Sequence, residues 1–495
     1  KRQQKCATAS FLREERNPMT QTRPLKTNLF NRNADLLHGP IFKNLFLFML
    51  PILVSNLFQQ LYNTVDTMIV GNVLGDTALA AIGSCGSIYE LLVGFGIGIG
   101  NGLSIVAARS YGAQDEDLLK RTGAGALVIG LCASFVITTA GFFGLRPLLQ
   151  LLDTPAEILE DAYRYIIVID LGVLVMFFYN LCAGLLRAIG NSVMPLVFLL
   201  ISSGLNVVLD LLFIARMGMG VQGAAVATVL SRYTETAIVV IWAHTHEKEN
   251  TYMTGLYKTL SVPRDHVKKY FIKGTPLLLN EALWSFGMAV LAQNYSVRGL
   301  TVIAAMNIAN TINNLFSVVF AAMGESVAII VGQALGFGDM KRAREIDNKM
   351  IVSCVLISFA VSVFMFLFAP FFPRIYNTTE AVRKAAMGLV LAQAVFIPQN
   401  AFLNAAYFTL RAGGKTGVTF FFDCVFLWCV NIPIVFVLCR YTGLAPWAVY
   451  SAMQIGEWLK CIAGAVMVKK GVWLENLTGK GEDEKYLLRE NEEKH

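Results

Sequence analysis

Leu186-Arg187-Ala188 returns as Leu410-Arg411-Ala412, 224 residues further on, and it does not return alone. At the same offset Asn56 maps onto Asn280, Gly75 onto Gly299, Thr77 onto Thr301 and Ala80-Ala81 onto Ala304-Ala305. Gly112, Asp115 and Asn180 map onto Gly336, Asp339 and Asn404. Chance does not hold one spacing across ~130 residues, so the chain is an internal duplication. Doubled halves in a chain this apolar are the signature of a secondary transporter, with the substrate site between halves that rock against each other.

The 495 residues are 55% hydrophobic and 15% charged, with a mean hydropathy of +0.55. A soluble domain carries about 25% charged residues. Twelve apolar runs of membrane-spanning length are read: 44–70, 78–108, 122–144, 160–186, 193–215, 221–245, 268–296, 302–334, 350–371, 386–410, 416–439 and 444–468. The predicted fold is an all-α polytopic membrane protein, twelve transmembrane helices in two six-helix pseudo-symmetric lobes. The N-terminal lobe takes 41–245 and the C-terminal lobe 267–470, joined by a cytoplasmic linker over 246–266. A leader, 1–40, and a Glu/Lys-rich tail, 471–495, flank them and are expected to be largely disordered.

Basic residues orient the bundle. Residues 1–43 hold nine Lys/Arg and 246–273 hold six, and Lys120-Arg121, Lys341-Arg342-Arg344 and Lys469-Lys470 lie on the same side. Both termini are therefore expected in the cytoplasm, in a cell membrane. Topology accounts for the net charge of +7 without a nucleic-acid partner. The nine cysteines have no metal-ligand spacing and read as reduced packing residues. His244 and His246 read as a solvated helix end.

An ionisable group inside a membrane span is costly and points to function. Asp66, Asp170, Asp210, Glu235, Glu281, Glu325, Asp423 and Glu457 are such groups. Arg232 with Glu235, and Glu457 with Lys460, have the spacing of helical ion pairs. Tyr62 shares a helix face with Asp66, and Asn206 with Asp210. If these faces converge with Asn180 and Thr228, two carboxylates, two amides and a hydroxyl would meet. Such oxygen donors suit a hard cation. Two close carboxylates also share a proton readily, so a proton can stand in for the metal. Asn180, Asn206 and Thr228 taken singly are better read as interhelical hydrogen bonds.

Pro51…Tyr62…Asp66, the run Leu186-Arg187-Ala188-Ile189-Gly190-Asn191…Pro195, and Asn206…Asp210…Thr228 resemble the multidrug and toxic compound extrusion (MATE) family. So do Gly112-Ala113-Gln114-Asp115 and Gly332-Gln333-Ala334-Leu335-Gly336-Phe337-Gly338-Asp339. The resemblance covers about residues 40–470. It implies export of bulky, often cationic, lipophilic compounds by antiport with Na+ or H+, alternating access and no other cofactor. It also implies that Asp66, Asn180, Asn206, Asp210 and Thr228 form the cation site, with Tyr62 close by. Many NorM-like members carry acids in spans 7 and 10; here Glu281 lies early in span 7, and span 10 offers only Gln393, Gln399 and Asn400. That shifts the expected cation site to the N-terminal lobe.

For the substrate, Phe58, Tyr62, Phe177, Glu281 and Trp284 are the candidate contacts, aromatic walls and one charge for a flat cation. Pro51 interrupts the hydrogen bonding of span 1 and is the candidate hinge. The expected partners are a lipophilic or cationic small molecule and the bilayer, around a monomer. Two other readings stand beside this one. One is a flippase for lipid-linked or other amphipathic metabolites in the same superfamily. The other is an intramembrane aspartyl protease, suggested by Gly336-Phe337-Gly338-Asp339; its place beside Lys341 and Arg342 argues for a surface turn instead.

Overall fold

The computed structural model describes residue 36 and residues 40–152, 154–247, 250, 280, 283–376 and 378–474. Among them every regular element is helical. In the first half these are α1 (Ile41–Leu74), α2 (Asp76–Ser84), α3 (Gly86–Gly112), α4 (Glu116–Leu151), α5 (Ala156–Leu171), α6 (Val173–Ala188), α7 (Val193–Asp210) and α8 (Gly220–Thr245). A π-helical turn, Leu211–Arg216, extends α7. The second half has a helical run over 283–296, then α9 (Leu300–Phe337), α10 (Met340–Phe368) and α11 (Glu380–Ala412). It continues with α12 (Thr416–Phe420), α13 (Ile432–Tyr441), α14 (Pro446–Gly456) and α15 (Trp458–Lys470). Two π-helical turns, Phe421–Val425 and Leu427–Asn431, join α12 to α13 as one span.

Eight described helices are individually long and apolar enough to cross a membrane, and α5 with α6, bent by 45°, make a ninth. The other three of the twelve crossings are α2–α3, interrupted at Cys85, α14–α15, interrupted at Glu457, and the seventh, described only over 283–296 and at Asn280. Glu281, the leader, the tail beyond Leu474 and most of the 246–266 linker lie outside the described residues.

The repeated punctuation has a structural cause. Asp115 caps α4 by accepting from the Leu118 N–H at 3.0 Å, and its repeat mate Asp339 caps α10 by accepting from the Arg342 N–H at 2.9 Å. A cap of this kind contributes about 1 kcal/mol. Asp339 is thus an exposed capping residue at a turn, which removes the ground for the protease reading. Gly75 and Gly299, also mates, have φ of 84° and 99°, left-handed values that favour glycine.

One apolar core runs through both halves. Phe48, Ile52, Leu181 and Leu186 from the first belong to the same buried cluster as Ile312, Val331, Leu335 and Leu389 from the second. The repeat-mate helices α3 and α9 cross where both are small. A methyl group on Gly112 would lie 2.0 Å from the Gln333 carbonyl oxygen, and one on Gly336 would lie 2.0 Å from that of Arg109. Gln333 is the mate of Arg109, so the same backbone contact is made twice around a pseudo-two-fold axis. Small residues four apart, Ala108 with Gly112 and Gly332 with Gly336, are what let membrane helices approach this closely.

Candidate functional site

α1, α7 and α8 pack on one another and bring four of the expected residues together. Asp66 lies eight residues before the end of α1, Asp210 ends α7, and Thr228 lies eight residues into α8. At 1.5 Å per residue these positions share a level about 10 Å from one end of the bundle. The Asp66 and Asp210 carboxyl groups meet within hydrogen-bonding reach. With the Asn206 amide turned to satisfy both its ends, its nitrogen donates to Asp210 Oδ2 at 2.9 Å. Its oxygen accepts from the Thr228 N–H at 3.3 Å. The Tyr62 hydroxyl donates to Thr228 Oγ1 at 3.5 Å. Asn206 and Asp210 are wholly buried, and Thr228 and Tyr62 nearly so.

Asp66 Oδ1 and Asp210 Oδ1 are buried with no hydrogen-bond partner among the described residues. Two bare carboxylates about 4 Å apart repel by about 4 kcal/mol at an effective dielectric of 20, before the cost of desolvating each. The orphaned oxygens are therefore positions for a cation or a proton. The π-helical turn begins one residue after Asp210 and widens the helix there, a feature frequent at functional sites.

A cationic layer lies beside this cluster. Arg232 pairs with Glu235 at 2.7 Å, the i,i+3 pair expected from the sequence, and also donates to Gln59 Oε1 at 2.9 Å. Its guanidinium lies 5.8 Å from the Tyr62 ring centre and 5.5 Å from that of Tyr179. Glu457 and Lys460 also pair as expected.

The other expected residues lie elsewhere. Asn180 donates to the Met176 carbonyl at 2.8 Å and packs on Gly100 of α3, whose Cβ, were there one, would lie 3.1 Å from the Asn180 Cβ. Phe177 is buried in the core over Gly130 of α4. Phe58 and Trp284 are 39% and 44% exposed. Glu281 lies outside the described residues. α1 runs through Pro51 as one helix, and the Pro51 carbonyl accepts from Ser55 Oγ at 2.9 Å.

Three features were not legible in advance. Arg187 of α6 pairs with Glu325 of α9 at 2.9 Å, tying the halves together. Its repeat mate Arg411 donates to the Gly98 carbonyl of α3 at 3.5 Å, across the same boundary. In the second half Asp347 is wholly buried and accepts from Thr409 Oγ1 at 2.6 Å. Asp423, which the sequence did single out, accepts from Asn280 Nδ2 at 3.2 Å, while Asn431 donates to Glu457 at 2.5 Å. Among the described residues, the buried second-half acids thus have Arg, Asn, Thr or Lys side chains as partners.

Comparison with known proteins agrees with this architecture. The MatE family model matches twice, over residues 51–212 and 276–437, and the two matches begin 225 residues apart, within one residue of the repeat offset. The probable multidrug resistance protein YoeA of Bacillus subtilis is 24% identical over 410 residues, covering 82% of this chain and 88% of its own. The probable multidrug resistance protein NorM of Thermotoga maritima is 24% identical over 463 residues, 90% of this chain and 95% of its own. Among solved structures, a MOP superfamily transporter from Pyrococcus furiosus superposes with a TM-score of 0.81 at 24% identity, over 89% of this chain and 97% of that one. MATE structures in bent and straight conformations each give 0.81 over the same 89% of this chain. With the family model covering both halves of a twelve-helix fold, the chain belongs to the MATE family of multidrug efflux transporters.

Proposed function

We propose that this transporter is a secondary antiporter that exports bulky, cationic lipophilic compounds in exchange for Na+ or H+ entering through the N-terminal lobe. The observation that carries this reading is the Asp66–Asp210 contact with its two orphaned oxygens, held by Asn206, Thr228 and Tyr62. The oxygens offered are two carboxyl groups and the hydroxyls of Thr228 and Tyr62, with the Asn206 amide nitrogen holding Asp210. That is a set for a hard cation, and the carboxyl pair alone suffices for a proton. In this reading both termini and the 246–266 linker are cytoplasmic, the lobes span 41–245 and 267–470, and the protein works as a monomer in the cell membrane. The shared level of the three site residues then lies nearer the outer face, where the entering ion is met first. Phe58, Tyr62, Glu281 and Trp284 remain the candidate substrate contacts; Phe177 and Asn180 act behind them, through packing of α6.

The coupled cycle follows from the charge. Without an ion, the site confines two repelling carboxylates; with one, α1 and α7 can close on it. Substrate and ion then compete for one conformational equilibrium, which is how an ion gradient drives export. The test is transport in proteoliposomes with Na+ and H+ gradients imposed separately. One of the two gradients is expected to drive export in the native protein. Asp66→Asn, which keeps shape and removes charge, is expected to abolish gradient-driven export while leaving the protein folded. Full gradient-driven activity in Asp66→Asn would overturn the assignment.

A further inference from the structure

We propose that Asp170 is a second, separate proton-binding site, set in the joint of the broken α5–α6 span. Asp170 is 0% exposed, and neither carboxyl oxygen has a hydrogen-bond partner among the described residues. No other buried acid among them has both oxygens so placed. The carboxyl lies flat over Gly141 of α4: a methyl group there would sit 2.3 Å from Oδ2 and 2.6 Å from Oδ1. Glycine at 141 thus makes the room that the acid occupies. The Thr138 hydroxyl of α4 donates to the Asp170 main-chain carbonyl at 3.2 Å, not to its carboxyl.

The surroundings decide the ligand. A metal cation needs several oxygen donors around it, and among the described residues no second side chain bonds to this carboxyl. A proton needs only the carboxyl itself. A bare carboxylate sealed in an apolar site without a donor is costly, and a proton removes that cost. Several described ionisable groups on the packed elements are engaged elsewhere. Arg146 of α4 pairs with Glu160, Arg232 and Glu235 of α8 pair with each other, and Cys85 donates to the Ala162 carbonyl. Tyr89 of α3 lies toward Arg232 and Asp66.

The place gives the proton something to act on. Two residues on, at Gly172, the chain turns by 45° into α6, which carries Asn180 and, at its far end, the interlobe Arg187. Gaining or losing a charge at the joint changes what the joint must bury, and with it the angle that α6 takes.

The site does not depend on the Asp66–Asp210 reading, and its test is separate. Purified protein in lipid bilayers is titrated in pH while the carboxylic-acid C=O band is followed by infrared difference spectroscopy, with and without Na+. Asp170→Asn is expected to lose one carboxyl component from that titration. The component is expected to be insensitive to Na+ and to persist in Asp66→Asn. Should Asp170→Asn fail to insert, Gly141→Ala keeps the acid and takes away its room, and a shift of the same component's midpoint is expected. An Asp170→Asn titration identical to the native one, or an unmoved midpoint in Gly141→Ala, overturns the proposal.

Discussion

A carboxylate inside this bundle is defined by the group that answers it. Glu325 is answered by Arg187 at 2.9 Å, with both side chains about one-sixth exposed, so the pair is largely desolvated. Removing one member of such a pair strands the other and costs about 3 kcal/mol, whereas an apolar replacement of both is close to neutral. Glu325→Gln is therefore expected to lower the unfolding temperature in detergent clearly, and Arg187→Met with Glu325→Met to restore most of it. Arg146–Glu160 is the control, a pair more than half exposed, where Glu160→Gln is expected to change stability by less than about 1 kcal/mol. Equal losses at the two pairs would show that burial does not set their value. The sequence marked Glu325 as a buried acid but not its partner. The two lie 138 residues apart, and the repeat does not help: the position matching Glu325 in the first half is Asn101.

At the scale of the helix, the sequence was most legible where it punctuates and least where an apolar run outlasts its own signal. Asp115 and Asp339 could be placed at turns because runs of charge follow them, Glu116 to Arg121 after the one and Lys341 to Arg344 after the other. Asp347 was missed because the apolar run was read from 350, whereas α10 begins at Met340 and carries a polar first stretch into the bundle. The shared faces of Tyr62 with Asp66 and of Asn206 with Asp210 were legible from i,i+4 spacing, and their meeting with Thr228 only from the family resemblance; the turning of Asn180 and Phe177 toward α3 and α4 was not legible, since spacing fixes a face but not its neighbour. Pro51 belongs to this scale as well. α1 passes through it unbroken, with the Ser55 hydroxyl taking the Pro51 carbonyl. If span 1 bends there as the cation site fills, spin labels on α1 and α7 are expected to change separation when the coupling ion is added. Pro51→Ala is expected to suppress that change and slow export. A constant distance together with normal transport in Pro51→Ala would make the proline a packing feature only.

At the scale of the whole molecule, the halves meet at a crossing whose contact the repeat builds twice. α3 and α9 approach through Gly112 and Gly336, the first lying against the main chain of Gln333 and the second against that of Arg109. Gln333 adds a hydrogen bond to the Ala188 carbonyl at 2.6 Å, and Arg187 and Arg411 reach across nearby. In alternating access such a contact must form in one state and part in the other, so its closeness sets part of the equilibrium between them. A side chain at either glycine cannot be absorbed by a rotamer change, because what it meets is backbone. Gly112→Val and Gly336→Val are each expected to push the helices apart at this end and favour the state in which the crossing is open. With a cysteine placed at Ala108, buried against Gly332, in a cysteine-depleted background, a membrane-impermeant thiol reagent applied from the α3–α4 turn side reads the change. Labelling is expected to rise several-fold in both variants and export to fall, with comparable effects from the two because the contact is pseudo-symmetric. Labelling and export both at the native level would mean that the halves part elsewhere, and that the glycines serve folding rather than the cycle.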